Sequence, residues 1–227
     1  MNPTTLNLIA VTIFLFVLSS LLGPLIHLSP AVPAIAAFGL LGLATVDTFS
    51  LQGRAGTLVV DWFARFSPEH RSRIIHHEAG HFLVAHLSQI PITGYTLTAW
   101  DAFRQGQPGY GGVTFNTQEL DRELQQGKLS NQLLDRFCTV WMAGTAAEQL
   151  VYSEATGGAD DRQKFRTLWA ILKRPDVEGQ QKEKWAAFQA KNLIQTHREA
   201  YDALVVGMEQ GASVEECIQI IEQHPLL

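Results

Sequence analysis

The hydrophobic pattern divides the chain into an apolar N-terminal stretch and a longer part in which apolar and polar positions are mixed. Residues 6–23 are almost continuously apolar, and a second, shorter apolar run covers residues 31–46 after a turn that contains two prolines. The first run approaches the ~20 residues that a helix needs to cross a bilayer. We therefore expect residues 1–52 to form a membrane anchor of two hydrophobic helices. The alternatives are one spanning helix with a re-entrant segment, or a cleaved signal peptide, although the second run and the lack of Lys or Arg before the first argue against a signal.

The pattern after residue 52 predicts a mainly α-helical domain with a small β-hairpin. Residues 53–66 are expected to form an amphipathic linker helix beside the membrane, and residues 67–227 the domain itself. Ser67, Pro68 and Glu69 are typical of a helix start, because they supply a capping hydroxyl, a proline in the first turn and an acid near the positive helix end. Strands are predicted where Thr, Ile, Tyr and Trp dominate, and helices where apolar residues recur at helical spacing. The predicted elements are a helix over 67–87, strands over 92–100 and 113–115, and helices over 129–152, 161–172, 182–209 and 213–223.

The distribution of charged residues predicts on which side of the membrane the domain lies. The chain has 17 basic and 22 acidic side chains, yet Asp47 is the one charged residue before Arg54. Several arginines follow the second apolar run closely, so the positive-inside rule puts the domain on the cytoplasmic side of its membrane or an equivalent side. The net charge of −5 argues against a nucleic-acid partner, which a basic face normally binds. Cys138 and Cys217 are too few for a disulfide framework and are expected to be reduced core residues.

A metal-binding pattern lies in the helix that begins near Ser67. His77, Glu78 and His81 form the motif H-E-x-x-H, and the small residues at its two variable positions are expected to let another element approach the helix. Side chains four residues apart lie on one helix face, so the two imidazoles can bind one Zn²⁺. Glu78 lies about 100° round the helix from His77 and can act as general base toward a water molecule without being a ligand. The plainer alternative is an exposed, histidine-rich helix. His76 and His86 point away from the ligand face and are interpreted as surface or partner-facing residues, and His27, in the turn between the apolar runs, as an interfacial residue.

A catalytic zinc site needs a third protein ligand beside the two histidines. The acidic residues downstream that could supply it are Glu148, Glu154, Asp160 and Asp161. Composition and spacing leave the choice among these four open.

Several separated segments resemble, in the same order, those of the FtsH-type membrane-anchored, ATP-dependent zinc metalloproteases. The segment HHEAGHFLVAHL resembles the zinc helix of that family, and YGGVTF the segment after its first strand. MAGTAAEQLVY followed by ATGGADDRQKF resembles the small-residue helix and the Thr-Gly loop that delivers the last zinc ligand. The resemblance covers residues 67–223.

The resemblance implies a role for particular acids. Matching the loop makes Asp161 the third zinc ligand and puts Asp160 where the family has Asn, so the extra acid departs from the family pattern. Of the acid pair in the preceding helix, Glu148 is kept and Gln149 replaces the other. Glu148 is then either a partner that orients a zinc ligand or an ordinary polar helix residue.

The ATPase module that the family carries between membrane and peptidase has no counterpart in this sequence. Only about twenty residues separate Leu51 from the zinc helix, and G-x-x-x-x-G-K-[ST] does not occur in the chain. We therefore expect no ATP binding by this chain.

Together these observations predict a membrane-anchored zinc metalloendopeptidase. Its expected partners are polypeptide substrates in or near the membrane, the bilayer itself, and a homo-oligomer or a separate membrane ATPase. A strand around residues 95–99 could pair with the substrate backbone. The rivals are a non-catalytic assembly or scaffold protein that keeps the peptidase fold, and an intramembrane protease. The charged residues around the zinc motif argue against an intramembrane protease, whose motif would lie inside an apolar helix.

Overall fold

The computed structural model describes residues 3–50, 67–98 and 112–225, together with the isolated positions 56 and 104. The chain divides into two compact units. One comprises residues 1–70 with 98–111, and the other comprises residues 71–97 with 112–227. The predicted linker helix over residues 53–66 lies outside the described residues, except for Gly56.

The first unit contains the two apolar helices. Helix α1 covers Pro3–Leu22 and helix α2 covers Ala31–Ser50, with a short 3-10 turn at Gly23–Ile26 between them. Both helices are long and apolar enough to cross a membrane. Their large apolar side chains are exposed, as with Phe38 at 83% and Phe49 at 85%, whereas a core helix of a soluble protein would bury them.

The second unit is mainly helical with one small antiparallel hairpin, and this confirms the predicted fold class. Its first helix, α3, begins in residues of the first unit and runs through the histidine motif. The elements are α3 (Pro68–Leu87), β1 (Ile92–Thr96), β2 (Gly112–Phe115), α4 (Gln118–Gln125), α5 (Asn131–Tyr152), α6 (Ala159–Ile171), α7 (Asp176–Thr196), α8 (Arg198–Glu209) and α9 (Val214–Glu222).

In the core, α3 packs against α5, and α5 packs in turn along α7. Phe82 on α3 and Phe137 on α5 are among its fully buried side chains. The close approach depends on Gly80, because a Cβ there would lie 2.7 Å from the Ala143 carbonyl oxygen and 2.7 Å from the Ala147 Cβ. The sequence-based expectation that small residues in the histidine motif admit a neighbouring element is confirmed.

The two strands of the hairpin are antiparallel. Ile92 pairs with Phe115 and Thr96 with Gly112, with an irregularity between Ile92 and Gly94. The Tyr95 hydroxyl donates to the Ala212 carbonyl, which connects β1 to the loop between α8 and α9.

Two serines cap helices of the domain. Ser130 caps α5 and Ser213 caps α9, each through its hydroxyl.

Three details differ from the sequence-based expectations. The helix predicted over 182–209 begins earlier, at Asp176, and is interrupted at His197, whose φ of −103° and ψ of 39° are not helical. Helix α4 was not predicted. The first strand ends at Thr96 rather than at residue 100, although residues 99 and 100 lie outside the described part of the chain.

Candidate metal centre

The two motif histidines present the same ring atom to one point. His77 Nδ1 donates to Glu148 Oε1 at 2.6 Å, and His81 Nδ1 donates to the Val140 carbonyl oxygen at 2.7 Å. A carbonyl or ionised carboxyl oxygen can only accept, so these contacts fix each neutral imidazole with its hydrogen on Nδ1. The lone pairs on the two Nε2 atoms, 3.1 Å apart, are therefore the ones available to a cation.

Asp161, in the first turn of α6, completes a triangle with these nitrogens. Its Oδ2 lies 3.2 Å from His81 Nε2 and 3.4 Å from His77 Nε2. Tetrahedral zinc with bonds of ~2.0–2.1 Å keeps its ligand atoms ~3.3–3.4 Å apart, so the observed spacing fits a zinc ion. The other carboxylate oxygen, Oδ1, accepts from the Lys164 ammonium at 3.0 Å.

Two glycines make room for the side chains of His77, His81 and Glu148, because a side chain at either position would collide with them. A Cβ at Gly144 on α5 would lie 2.3 Å from His77 Nε2 and 2.5 Å from His81 Nε2. A Cβ at Gly157, in the loop before α6, would lie 2.5 Å from Glu148 Oε1. Neither position tolerates a side chain unless the cluster moves, because real Cβ contacts are never this short.

Glu148 on α5 joins the histidine helix to the loop before α6. Its carboxylate is 1% exposed and accepts from His77 Nδ1, from the Thr156 amide at 2.9 Å and from the Gly157 amide at 3.1 Å. Arg73 Nη1 also donates to it at 3.3 Å, and to the Glu154 carbonyl at 3.0 Å. Of the two interpretations left open by the sequence, this geometry supports Glu148 as the residue that orients His77.

The electrostatics of the cluster favour a positive charge at its centre. Burial would lower the pKa of His77, but its hydrogen bonds to Asp161 and Glu148 outweigh burial and raise that pKa to about 10. Burial would raise the pKa of Glu148, yet the bonds from His77 and the Thr156 amide lower it to about 2. The pKa of Asp161 also lies well below its ordinary value, because His81 and His77 overcome the effect of burial. A proton or a divalent cation can meet this demand.

Glu78 lies outside the ligand triangle and is held by strand β2. Its Oε2 accepts the Val113 amide hydrogen at 2.9 Å. Gly112 has a φ of +126°, and a Cβ there would lie 3.0–3.3 Å from all three atoms of the Glu78 carboxyl group. The hairpin therefore sets the position of the acid that the motif predicts as a general base.

The structure brings together His77, His81 and Asp161 as a group whose ligand atoms all lie within 4.8 Å of one another. The other acids that were candidates for third ligand, Asp160 and Glu154, are exposed.

Among the remaining histidines, His27 is exposed and His86 half-buried. His76 is half-buried, with its Nδ1 2.9 Å from the Tyr201 hydroxyl, so it is an internal contact residue rather than the surface residue expected. Burial lowers its pKa. Cys138 and Cys217 are buried and free, as predicted.

Sequence reasoning missed the residues that shape the site without binding the metal. The helical spacing over residues 129–152 gives Gly144 no special role, and the sequence marks Arg73 only as one of the arginines that follow the second apolar run. Thr156 and Gly157 act through backbone amides, which no residue pattern reveals. The signal that could have identified Gly144 is its place on the α5 face that packs against the histidine motif of α3.

No family model matches the chain. A stretch of 108 residues, 47% of the chain, is 39% identical to the ATP-dependent zinc metalloprotease FtsH 4 of Sphaerobacter thermophilus. The chain spans 15% of the length of that protein. The similarity relates this stretch to a zinc metalloprotease and agrees with a His, His, Asp group able to hold a metal ion.

Proposed function

We propose that the chain is a zinc-dependent endopeptidase in which His77, His81 and Asp161 hold the metal. The observation that carries this proposal is the triangle of 3.1–3.4 Å formed by His77 Nε2, His81 Nε2 and Asp161 Oδ2. Three protein ligands leave a fourth tetrahedral position open, as catalytic zinc sites require. Bound zinc would supply Lewis-acid polarisation of a peptide carbonyl and a lowered pKa for water.

Glu78 is the proposed general base. Since its Oε2 accepts the Val113 amide hydrogen, Oε1 is the oxygen assigned to take the proton from the attacking water. The same proton can then be delivered to the leaving amine of the cleaved peptide bond. The amide contact fixes the carboxylate without neutralising it, so the base is positioned before the substrate arrives.

The surrounding contacts hold the ligands in place. The Glu148 carboxylate keeps the His77 ring in one tautomer, and its negative charge makes Nε2 a stronger donor to the metal. The neutral Val140 carbonyl likewise keeps the His81 ring in one tautomer. Lys164 holds Asp161 Oδ1, which leaves Oδ2 directed at the histidines.

The proposed substrates are extended segments of polypeptides in or near a membrane. Strand β1 pairs with β2 along one edge, and an extended substrate would add along the other. The two N-terminal helices would anchor the peptidase to a bilayer, with the domain on its cytoplasmic or equivalent side. Cleavage by these 227 residues is proposed not to depend on ATP, and a separate membrane ATPase or a second copy remains a proposed partner.

The test is metal-dependent cleavage of an unstructured, fluorescently labelled peptide by the purified chain. We expect cleavage to stop when a chelator removes the metal and to return when zinc is added back. Cleavage that persists after the metal has been removed would contradict the proposal. Stoichiometric zinc binding without any cleavage would instead favour the assembly or scaffold protein.

A further inference from the structure

Helix α7 carries large apolar side chains on the face that points away from the core. Its core-facing side is made of residues such as Gly179, Ala186 and Ala190, which are buried. The opposite side exposes three large apolar side chains, Val177 at 66%, Trp185 at 42% and Phe188 at 59%. A helix that solvent alone covers normally has a polar outer face, so this one is built to contact something apolar.

The same face is positively charged. At 100° per residue, Lys184 lies between Val177 and Lys191 and within about 40° of Phe188. Lys184 is exposed and Lys191 half-buried. The ammonium of Lys182 lies 4.5 Å from the centre of the Trp185 ring, but it is paired with the Asp135 carboxylate of α5 and adds no net charge to the face.

The acids of α7 lie outside this face or at its edge, although α7 as a whole has as many acidic as basic side chains. Asp176 and Glu183 lie about 120–140° from Phe188 around the helix, and the exposed Glu178 lies about 20° beyond Trp185, at the edge of the face. The positive charge is therefore concentrated on one face of α7, although the helix as a whole is not basic. It is also opposite in sign to the net charge of the chain, which is −5.

We propose that the α7 face, defined as Val177, Lys184, Trp185, Phe188 and Lys191, binds the surface of an anionic lipid bilayer. Tryptophan and phenylalanine beside lysines are the residues with which amphipathic helices lie in the headgroup region. The rings enter the acyl boundary, and the ammonium groups remain with the phosphates. The charge of the face complements anionic lipids, whose surface potential attracts nearby lysines.

Chain connectivity makes a bilayer the partner that is always within reach. Helix α2 ends at Ser50 and α3 begins just after Ser67, so fully extended chain between them spans at most about 60 Å. With α2 inserted, the domain carrying α7 stays at a high effective concentration beside the membrane surface. A two-fold pairing of two α7 faces would oppose lysines to lysines, which disfavours a symmetric dimer through this face. No residue of the α7 face belongs to the metal centre, so lipid binding is independent of the peptidase activity, although it rests on the membrane anchoring proposed above.

The experiment measures the contact of Trp185 with lipid in the full-length protein reconstituted into vesicles. Vesicles of phosphatidylcholine, with and without about 30% phosphatidylglycerol, would carry bromine atoms on their acyl chains, which quench tryptophan emission on contact. The signal of Trp185 is the difference between the wild type and Trp185→Phe. We expect that signal to be quenched and shifted to shorter wavelength in the anionic vesicles, and much less so in the neutral ones.

Charge-reversal variants test whether lipid binding depends on the lysines of the α7 face or on the charge of the domain as a whole. The double variant Lys184→Glu/Lys191→Glu should abolish the quenching of Trp185. The control Arg122→Glu/Lys128→Glu, which changes the net charge equally at exposed positions elsewhere, should leave it intact. Trp185 emission that is unquenched in anionic vesicles would overturn the proposal. A wavelength shift that grows with the protein-to-lipid ratio, without quenching, would also overturn it, in favour of a second copy of the chain.

Discussion

At the scale of single residues, two neighbouring acids at the start of α6 differ sharply in their surroundings. Asp161 is 8% exposed with its Oδ2 3.2 Å from His81 Nε2, whereas Asp160 is exposed. Asp161→Asn should weaken zinc binding by well over ~10–100-fold, the range seen when only a supporting partner is lost, because a neutral amide replaces a charged ligand. Asp160→Asn should leave it unchanged. Competition with a zinc-sensitive dye measures both, and equal effects of the two substitutions would contradict the assignment.

Gly144 leaves room for the His77 and His81 rings because it has no side chain. In Gly144→Ala the new Cβ would lie 2.3 Å from His77 Nε2, so the ligand atoms must separate and zinc affinity should fall on the order of 100-fold. The control is Gly42→Ala, at a helical glycine with nothing within 4 Å of its Cβ position. Circular dichroism would verify that both variants fold. Wild-type zinc affinity in folded Gly144→Ala would show that the ligand triangle is wrongly placed.

At the scale of elements, strand β2 is predicted to control the general base without touching the metal. Gly112→Ala would press a Cβ onto the Glu78 carboxylate and strain a backbone with φ of +126°. We expect kcat to fall up to ~10²-fold, the lower end of what general-base catalysis contributes, while zinc content stays the same.

The matched control for backbone strain is Gly127→Ala. Gly127 also has a positive φ, 64°, but nothing lies within 4 Å of its Cβ position. Zinc loss in Gly112→Ala, or an equal loss of kcat in Gly127→Ala, would contradict the role given to β2.

The elements also mark how far the sequence could predict this fold. Helix α3 was predicted with its observed limits because Ser67, Pro68 and Glu69 signal its start locally. Helix α4 was missed because it has only eight residues, too few for a clear period. The break at His197 has no Pro or Gly to announce it.

The site shows the same division between local and tertiary signals. The spacing of His77 and His81 is local to one helix and could be read directly from the motif. The resemblance, rather than the spacing, singled out Asp161. The Glu148 contacts join segments that are far apart in sequence, with His77 71 residues and Arg73 75 residues away, so only tertiary packing brings them together.

At the scale of the whole molecule, the chain is predicted to cleave only polypeptides that are already unfolded. Unfolding a stable domain costs roughly 5–15 kcal/mol, and hydrolysis at a zinc site provides no means of applying that energy to a folded substrate. The measurement compares an unfolded reporter with its stably folded version, each with and without ATP. Only the unfolded reporter should be degraded, at a rate that ATP does not change. Degradation of the folded reporter that this chain alone carries out with ATP would refute the prediction.

The central claim is that helix α3 supplies two of the three proposed zinc ligands and the general base, and Glu78→Gln tests it most directly. Glutamine keeps the size of the side chain but cannot accept the proton, and Glu78 lies outside the ligand triangle. Zinc content and cleavage of an unstructured peptide would be measured for purified wild type and Glu78→Gln side by side at neutral pH. We predict the same zinc content in both and cleavage by the wild type alone. Cleavage by Glu78→Gln at the wild-type rate, or no zinc in either protein, would contradict the claim.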